Sequence, residues 1–350
     1  MRMIVDPQIE VPQYPKISED CHLIVDDKKI QIYGVEDSIL LTGENTLPTV
    51  KKILPLLNGK NSLDYIVHSV SEKEMDFVPL ILKYLYMKGL FEDYSTVREE
   101  DIIKSNEAQK YFSRLIDVTR HSKNRFDLFQ KIKTYKIQLI INSELGISLY
   151  NEIKSIGYEL VEIIALTEMK EHIVHQEGVI FFDSIDEINF NKEAHLICVF
   201  DRNYPKIFKK INKIAYSNKQ MFTIAFLTDK KAIIGPTFLP DETGCFECYE
   251  QRQIMNTNDL DSFLTYKNFL NKADTVPFSH TNYNKKILVG ILTAEIVNAS
   301  TYITIPQTVG NEIEFDFIHL NLTKRKFHRL PVCKTCSKKI RNSNFAFTGV

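Results

Sequence analysis

The sequence has 350 residues, with 44 lysines and arginines against 45 aspartates and glutamates. This near-zero net charge, without a long basic run, argues against nucleic acid as the main partner. No apolar run reaches the length of a membrane span, and the N-terminus lacks a secretory signal pattern, so we expect a cytoplasmic protein without membrane association. The length allows two or three domains.

The N-terminal part predicts an extended arm followed by a small sheet. Residues 1–18 are proline-rich and aperiodic, which indicates an arm. Three strand-like runs follow at 22–26, 28–34 and 37–43, separated by turn-forming residues. Short apolar runs with such punctuation predict a three-stranded meander.

Helical periodicity replaces the strand pattern after residue 45. Residues 46–59 and 61–70 predict two helices, and Ser71 with Glu74 forms a capping box that opens a third, in which Pro79 is tolerated only near the start. Residues 90–94 then predict a wing strand. Three strands and three helices within 19–95 indicate a winged helix, and the charged segment 96–106 reads as a linker.

The third predicted helix is too apolar for a DNA-recognition helix, since Lys83 and Lys88 are its only cations. The region resembles the PqqD-like leader-peptide recognition domain (RRE) of ribosomal-peptide biosynthesis. That resemblance implies that a leader peptide adds as a strand beside the third strand and packs against the third helix. The implied contacts are Ser38, Ile39, Leu40, Leu41 and Thr42 on the strand, and Phe77, Ile81, Tyr84, Leu85 and Lys88 on the helix. The alternative is that these side chains form the small domain's core.

The second half alternates buried strands with helices. Strands are predicted at 136–142, 160–166, 179–183, 195–201 and 221–228, and helices at 107–133, 146–157, 204–219 and 285–301. This alternation predicts a parallel, doubly wound Rossmann-like sheet within 107–350.

Four cysteines form two Cys-x-x-Cys pairs, Cys245 with Cys248 and Cys333 with Cys336. Two such pairs supply four thiolates, the ligand set of a closed structural Zn²⁺ site with no position open for water. The alternative is free thiols or a redox pair. Cys21 and Cys198 read as plain buried thiols.

The second half also resembles the ThiF-like, ubiquitin-activating-enzyme superfamily. The matching features are a strand ending in Asp201, a helix ending in Asn212, the passage IIGPTFLPDETGCFEC, the helix LVGILTAEIVNA and the final Pro-x-Cys-x-x-Cys pair. A leader-binding winged helix joined to a ThiF-like domain resembles the proteins that serve YcaO-type cyclodehydratases in thiazole/oxazole peptide and thiopeptide (bacteriocin) pathways.

The chain departs from a working adenylating enzyme at residues 142–147. The turn Asn-Ser-Glu-Leu-Gly-Ile keeps one glycine, and Glu144 puts a negative charge where a triphosphate would lie. We therefore expect no ATP binding. Asp201 keeps the position of a Mg²⁺-binding carboxylate in the family's enzymes, but we favour its interpretation as an ordinary cap of the next helix. No catalytic residue is assigned.

The sequence therefore predicts a protein without covalent chemistry of its own. It would bind the leader of a precursor peptide and present the core peptide to a separate ATP-dependent YcaO-type enzyme that forms thiazoline or oxazoline rings. The resemblance also allows a dehydrogenase partner and a homo-oligomer. Two alternatives stay open: an active ThiF-like enzyme that adenylates a peptide carboxylate, and a winged-helix DNA-binding regulator.

Overall fold

The computed structural model describes residues 8–35, 38–98, 101–102, 107–116, 121–166, 178–272 and 278–337. The chain forms two compact units. One comprises Met1–Lys133 with Ser300–Thr304, and the other comprises Thr134–Ala299 with Ile305–Val350. Residues 107–133, which the sequence analysis placed in the α/β domain, fall in the first unit. The predicted arm and linker lie partly outside the described residues.

The first unit contains the predicted meander. Strands β2 (His22–Val25), β3 (Ile30–Tyr33) and β4 (Ile39–Leu41) form an antiparallel sheet in which β3 is central. A separate antiparallel pair joins β1 (Pro15–Ile17), which lies within the predicted arm, to β5 (Phe91–Asp93). The N-terminal segment is therefore held by a ladder of backbone hydrogen bonds at its end.

Helices α1 (Thr46–Ile53), α2 (Leu63–His68) and α4 (Val78–Met87) pack against the buried face of this sheet. The unit also contains α3 (Glu72–Met75), α5 (Glu107–Ser113) and α6 (Arg125–Thr134). The capping box is confirmed, since the Ser71 N–H donates to Glu74 Oε2 at 3.0 Å. The single helix predicted from Ser71 is two helices, because Pro79 has no N–H to continue the α3 ladder and instead sits at the start of α4.

Alternating burial builds the core of this unit. Ile30 and Ile32 on β3, with Ile39 and Leu41 on β4, point to the helices and are buried. They pack in one cluster with apolar residues of α1, α2 and α4, including Val50, Ile53, Ile66, Ile81, Leu82 and Leu85. The inward-facing side chains of the strands, which alternate along each strand, therefore pack against the apolar faces of the helices in a single layer.

A buried charged cluster ties α6 to the β1–β5 region within the same unit. The Arg125 side chain is 1% exposed and Glu92 is 0% exposed. The Arg125 guanidinium donates to Glu19 at 2.9 Å and to the Tyr94 hydroxyl at 2.7 Å, while the Arg125 backbone N–H donates to Glu92 at 2.8 Å. Arg125 Nη2 also lies 3.4 Å from Glu92. A buried ion pair of this kind depends on every partner being present.

The second unit is built on an eight-stranded sheet. Its strands are β6 (Ile137–Ile141), β7 (Val161–Leu166), β8 (Val179–Phe182), β9 (His195–Phe200), β10 (Phe222–Leu227), β11 (Lys231–Phe238), β12 (Asn311–Asp316) and β13 (Asn321–Lys326). The order is β13-β12-β11-β10-β9-β6-β7-β8. Strands β6 to β10 run parallel, whereas β11, β12 and β13 join antiparallel. The sheet is therefore mostly parallel and Rossmann-like, as predicted.

Helix α7 (Glu144–Ile156) connects β6 to β7 and helix α8 (Pro205–Ser217) connects β9 to β10. Helices α9 (Phe246–Met255), α10 (Leu260–Leu270) and α11 (Asn282–Thr301) follow. Strands β6, β9 and β10 are buried along their whole length, as expected for parallel strands covered on both faces. Among the described residues, no helix combines the length and apolarity that a bilayer crossing requires.

Replacement of Arg125 by methionine should strongly destabilise the first unit, because it leaves Glu92 and Glu19 without their buried cation. We expect a loss of about 3–5 kcal/mol in urea unfolding followed by circular dichroism. Arg98→Met is the matched control, since Arg98 pairs with Asp101 at the surface and exposed pairs contribute about 0–1 kcal/mol. Equal effects of the two variants would contradict this role of Arg125.

The same cluster should make stability depend on pH. Burial raises the pKa of Glu92 to about 7, above the ordinary carboxyl value, although Arg125 opposes the shift. The folded state then holds the Glu92 proton more tightly than the unfolded state, so the free energy of unfolding should fall as pH rises from about 4.5 to 7. The expected change is about 2–3 kcal/mol, and Glu92→Gln should flatten the profile. A profile that is identical in this variant would exclude Glu92 as its source.

Candidate functional site

Four buried cysteines come together in the second unit. The Sγ atoms of Cys245, Cys248, Cys333 and Cys336 all lie within 4.8 Å of one another. Cys245 and Cys333 are 3.6 Å apart at sulfur, and Cys248 and Cys336 are 3.3 Å apart. Thiolates bound to one Zn²⁺ at about 2.3 Å would be separated by about 3.8 Å. The cluster is thus compatible with a metal such as zinc.

Local structure explains how the first pair reaches this arrangement. Cys245 is the N-cap residue of α9 and Cys248 lies in its first turn, so both sulfur atoms face the same side. Gly244 comes directly before this pair. A Cβ atom at this position would lie 2.8 Å from the Phe327 ring, so a larger residue would not fit without a shift. The Leu330 N–H donates to Cys248 Sγ at 3.4 Å. Hydrogen bonds from Cys245 and Cys336 lower the pKa of Cys248, while the hydrogen bond with Cys248 raises the pKa of Cys245.

The carboxyl ends of β6 and β9 form the point where strand order reverses in the parallel sheet. Asn142 follows β6, and its amide donates to Asp201 at 2.7 Å and to the Tyr204 hydroxyl at 3.1 Å. The Asp201 backbone N–H donates back to Asn142 at 3.1 Å. Open α/β sheets bind ligands in the crevice at such a point. Here these side chains hydrogen-bond to one another across it.

The interpretation of Asp201 as a helix cap is wrong. Helix α8 begins at Pro205 with Tyr204 as its N-cap residue, which is too far along the chain for Asp201 to cap it. The carboxylate instead accepts the Asn142 amide, and burial raises the pKa of Asp201. The pairing of two residues that follow different strands was not visible in the sequence.

The turn between β6 and α7 lacks the glycines that a nucleotide-binding turn uses. Ser143 is the N-cap residue and Glu144 is the first helical residue, so a carboxylate stands in the first turn of α7. The remaining glycine, Gly146, serves packing, because a Cβ there would lie 2.1 Å from Ile141 Cγ2. This turn does not fit a triphosphate. Phosphate binding needs backbone N–H groups that approach the phosphate closely, at a helix N-terminus without a nearby carboxylate.

Arg202 fixes the C-terminal end of α10 beside this crevice. Its guanidinium donates to the Leu270 carbonyl at 2.6 Å and stacks 3.9 Å over the Tyr204 ring. A cation at the last carbonyls of a helix complements the negative end of the helix dipole. Asn271 in turn accepts the Lys206 N–H at 3.1 Å, near the start of α8. Sequence reasoning missed this arginine because its partners lie about 70 residues away.

The predicted peptide-binding strand is β4, which lies at an edge of the meander. Its register pairs Gln31 with Leu40, and no described strand pairs with its other side. Leu40 is 53% exposed, whereas Ile39 and Leu41 point into the core. Ser38 and Thr42, at the two ends of the strand, are exposed. The other edge strand, β2, exposes all four of its residues.

The predicted helix contacts divide into two groups. Ile81 and Leu85 are buried within the core of the first unit and present almost no surface to a ligand. Phe77, Tyr84 and Lys88 are half-buried and retain accessible surface, as does Leu80, which is more exposed but was not among the predicted contacts.

Comparison with known proteins identifies the fold. No protein-family model matches the chain, and no curated protein matches it. The heterocyclase TruD superposes with a TM-score of 0.63 at 20% identity over 93% of this chain and 43% of that one. A heterocyclase in complex with substrate and cofactor gives a TM-score of 0.62 at 18% identity over 92% and 39% of the two chains. E. coli MccB with AMPCPP and MccA gives 0.63 at 13% identity over 93% and 99%.

The chain thus spans about two-fifths of each heterocyclase and nearly all of MccB. At these identities the likeness shows the fold alone, and it agrees with the predicted Rossmann-like α/β architecture.

Cys245→Ser and Cys333→Ser should each reduce bound zinc from about one ion per chain to near zero, because a four-thiolate site loses a ligand. Loss of the metal should also destabilise the second unit, since metal binding and folding are coupled. Metal content is measured by elemental analysis after purification without chelators. Cys21→Ser is the control, because Cys21 lies outside the cluster. Full zinc content in either cluster variant would refute the tetrathiolate site.

Proposed function

We propose that this protein binds the leader segment of a ribosomally made precursor peptide and presents the core peptide to a separate YcaO-type cyclodehydratase. The observation that carries the proposal is the edge of β4 that no described strand pairs, in a small unit whose apolar core also contains α4. A peptide added to that edge gains backbone hydrogen bonds, while side chains at alternate positions supply specificity. The first unit then acts as a winged-helix recognition domain of the PqqD-like kind.

The accessible predicted residues define a binding surface of modest size. Leu40 contacts the outward face of an added strand. Phe77 and Tyr84 offer partly exposed aromatic surface on α4, and Lys88 places a cation at the end of this helix. Ile81 and Leu85 make no direct contact with the peptide in this proposal; they pack in the core and so fix the position of α4. The proposal therefore assigns direct contacts to Ser38, Leu40, Thr42, Phe77, Tyr84 and Lys88.

The second unit contributes a scaffold in this proposal. Zinc in the cysteine cluster would hold the segment around Cys333 against the start of α9, and a four-sulfur site leaves no open position for chemistry. The turn at residues 142–147 disfavours nucleotide binding, as argued above. The heterocyclase was solved with substrate and cofactor, and MccB was solved with AMPCPP and MccA, which supports a substrate-binding role for this chain. The cyclodehydratase and a dehydrogenase would supply the ring chemistry.

Fluorescence anisotropy with a labelled leader peptide, taken from a small open reading frame beside the gene, tests the proposal. Binding should be saturable, need no ATP and survive removal of the core sequence. Tyr84→Ala should weaken it about tenfold through lost aromatic contact. Tyr65→Ala, the same change at an exposed position on α2, should leave it unchanged. Leader binding without any effect of Tyr84→Ala would remove α4 from the binding surface.

Proline substitutions distinguish the two edges of the meander. Leu40→Pro removes a backbone donor from β4 and Ile24→Pro removes one from β2, the opposite edge. Loss of binding in Leu40→Pro alone, with circular dichroism unchanged, supports strand addition at β4. Loss in Ile24→Pro alone would move the binding edge to β2.

The two alternatives have direct assays. ATP-dependent pyrophosphate exchange by the isolated chain would favour an adenylating enzyme over a binding protein. Salt-sensitive binding of duplex DNA would favour a regulator. Neither is expected, because Glu144 stands where a nucleotide-binding turn would hold phosphate, and Lys83 and the C-cap residue Lys88 are the only cations that α4 and its cap offer.

A further inference from the structure

The four-cysteine cluster has charged neighbours of both signs, which the metal-site assignment above does not use. Four thiolates around one divalent ion leave a net charge of about −2 on the site. A buried charge of this kind is costly unless cations and hydrogen-bond donors surround it. The groups around the ligands therefore affect how tightly the ion is held.

Arg329 joins three segments of the second unit around the second cysteine pair. Its Nη2 donates to the Tyr216 hydroxyl on α8 at 3.3 Å, and its Nη1 donates to the Asp241 carbonyl at 3.4 Å. The Tyr216 hydroxyl in turn lies 3.3 Å from the Cys336 carbonyl. Burial lowers the pKa of Arg329, but the charge of Cys336, with its other neighbours, raises it above the ordinary value. The guanidinium thus lies in the electrostatic field of the cluster.

A backbone donor follows directly after this cation. The Leu330 N–H donates to Cys248 Sγ at 3.4 Å. Cys248 and Cys336 are 3.3 Å apart at sulfur. Two consecutive residues, Arg329 and Leu330, therefore bring a cation and an N–H donor to the same side of the cluster.

Glu247 lies beside the other two sulfur atoms. It follows Cys245 by two residues on α9, and its Oε2 lies 3.8 Å from Cys333 Sγ. The Thr335 hydroxyl donates to the same carboxylate oxygen at 2.8 Å and holds it in place without offsetting its charge. A carboxylate this close to a thiolate disfavours the charged form of the site, because like charges repel.

We propose that Arg329 is a positioning residue of the metal site and that Glu247 opposes it, so that these two charges set how tightly the ion is held. Arg329 stabilises the negatively charged thiolate cluster and ties the second cysteine pair to α8. Glu247 weakens the cluster through its charge. This inference rests on a metal in the four-cysteine site and is independent of leader binding.

Competition between the zinc-loaded full chain and a chromophoric zinc chelator tests the proposal. We expect Arg329→Met to weaken zinc binding at least about tenfold, the effect typical of residues that contact metal ligands. Arg329→Lys keeps the charge and should recover most of this loss. Glu247→Gln keeps the hydrogen bond from Thr335 but removes the charge, so it should strengthen zinc binding severalfold. Opposite signs at the two positions separate an effect of charge from a general loss of structure.

Arg252→Met is the matched control. Arg252 donates to the His328 carbonyl at 3.4 Å, one residue before Arg329, but its contact is with the backbone alone. This variant should bind zinc as tightly as the unchanged chain. In cobalt-loaded protein, the thiolate-to-cobalt absorption should be the same in every variant, because the four ligands are unchanged. Melting temperatures check the fold of each variant.

The possible failures are distinguishable. Absence of thiolate-to-cobalt absorption in the unchanged chain would overturn the metal site and this inference with it. When the ion is bound, unchanged zinc affinity in folded Arg329→Met, or Arg329→Lys as weak as Arg329→Met, would overturn the role of Arg329 alone. Unchanged or weaker zinc binding in Glu247→Gln would overturn the opposition of charges. That variant decides the outcome if Arg329→Met fails to fold, because it is expected to be the more stable one.

Discussion

The close approach of four buried sulfur atoms determines how two distant segments of the second unit are held together. Cys245 and Cys248 lie at the start of α9, and Cys333 and Cys336 lie near the end of the described chain. Holding these two segments together fixes the position and rotation of α9. Tyr249, Glu250 and Gln253 on the same helix then form one wall of a cavity that Glu312 also lines. The cysteine cluster and the cavity are thus linked through one short helix, although they are chemically separate.

The crevice between the carboxyl ends of β6 and β9 lies where nucleotide-binding folds of this type hold their ligand, but different residues line it. In such folds glycines leave space and backbone donors for phosphate. Here Asn142, Asp201 and Tyr204 satisfy one another's hydrogen bonds, and Arg202 holds the end of α10 beside them. A ligand entering this crevice would have to break several internal bonds in a partly buried setting. Each such bond contributes about 1 kcal/mol or more, so the internal network is a substantial barrier to binding.

Local sequence patterns predicted most elements because they record which residues face a core. Alternation located β3 and β4, the capping box located α3, and continuous apolar runs located β6, β9 and β10. Cys-x-x-Cys spacing located the cysteine cluster, since two such pairs supply the four thiolates of one metal site. The patterns could not reveal which half of the chain residues 107–133 would join, because their helical periodicity is compatible with either core.

Polar contacts between residues that are far apart in the sequence could not be predicted from local patterns. Glu312 and Glu314 line a cavity whose other walls come from α9 and α10, which are distant in the sequence. Arg125 lies in the helical segment predicted at 107–133, and no local pattern indicates that it is buried against Glu92 and Glu19. Ile81 and Leu85 share the apolar pattern of Tyr84, and periodicity alone cannot separate a core position from a rim position on the same helix.

The two edges of the meander that no described strand pairs are not equivalent as binding sites for a strand. β4 alternates strictly, with Ile39 and Leu41 inward and Leu40 outward, whereas β2 exposes all four of its residues. A strict alternation specifies register, because a slip of one residue would turn the inward side chains of an added strand to solvent. An edge exposed on both faces specifies register weakly. A leader peptide that must present its core in a fixed position requires one register, and this requirement favours β4 as the recognition edge.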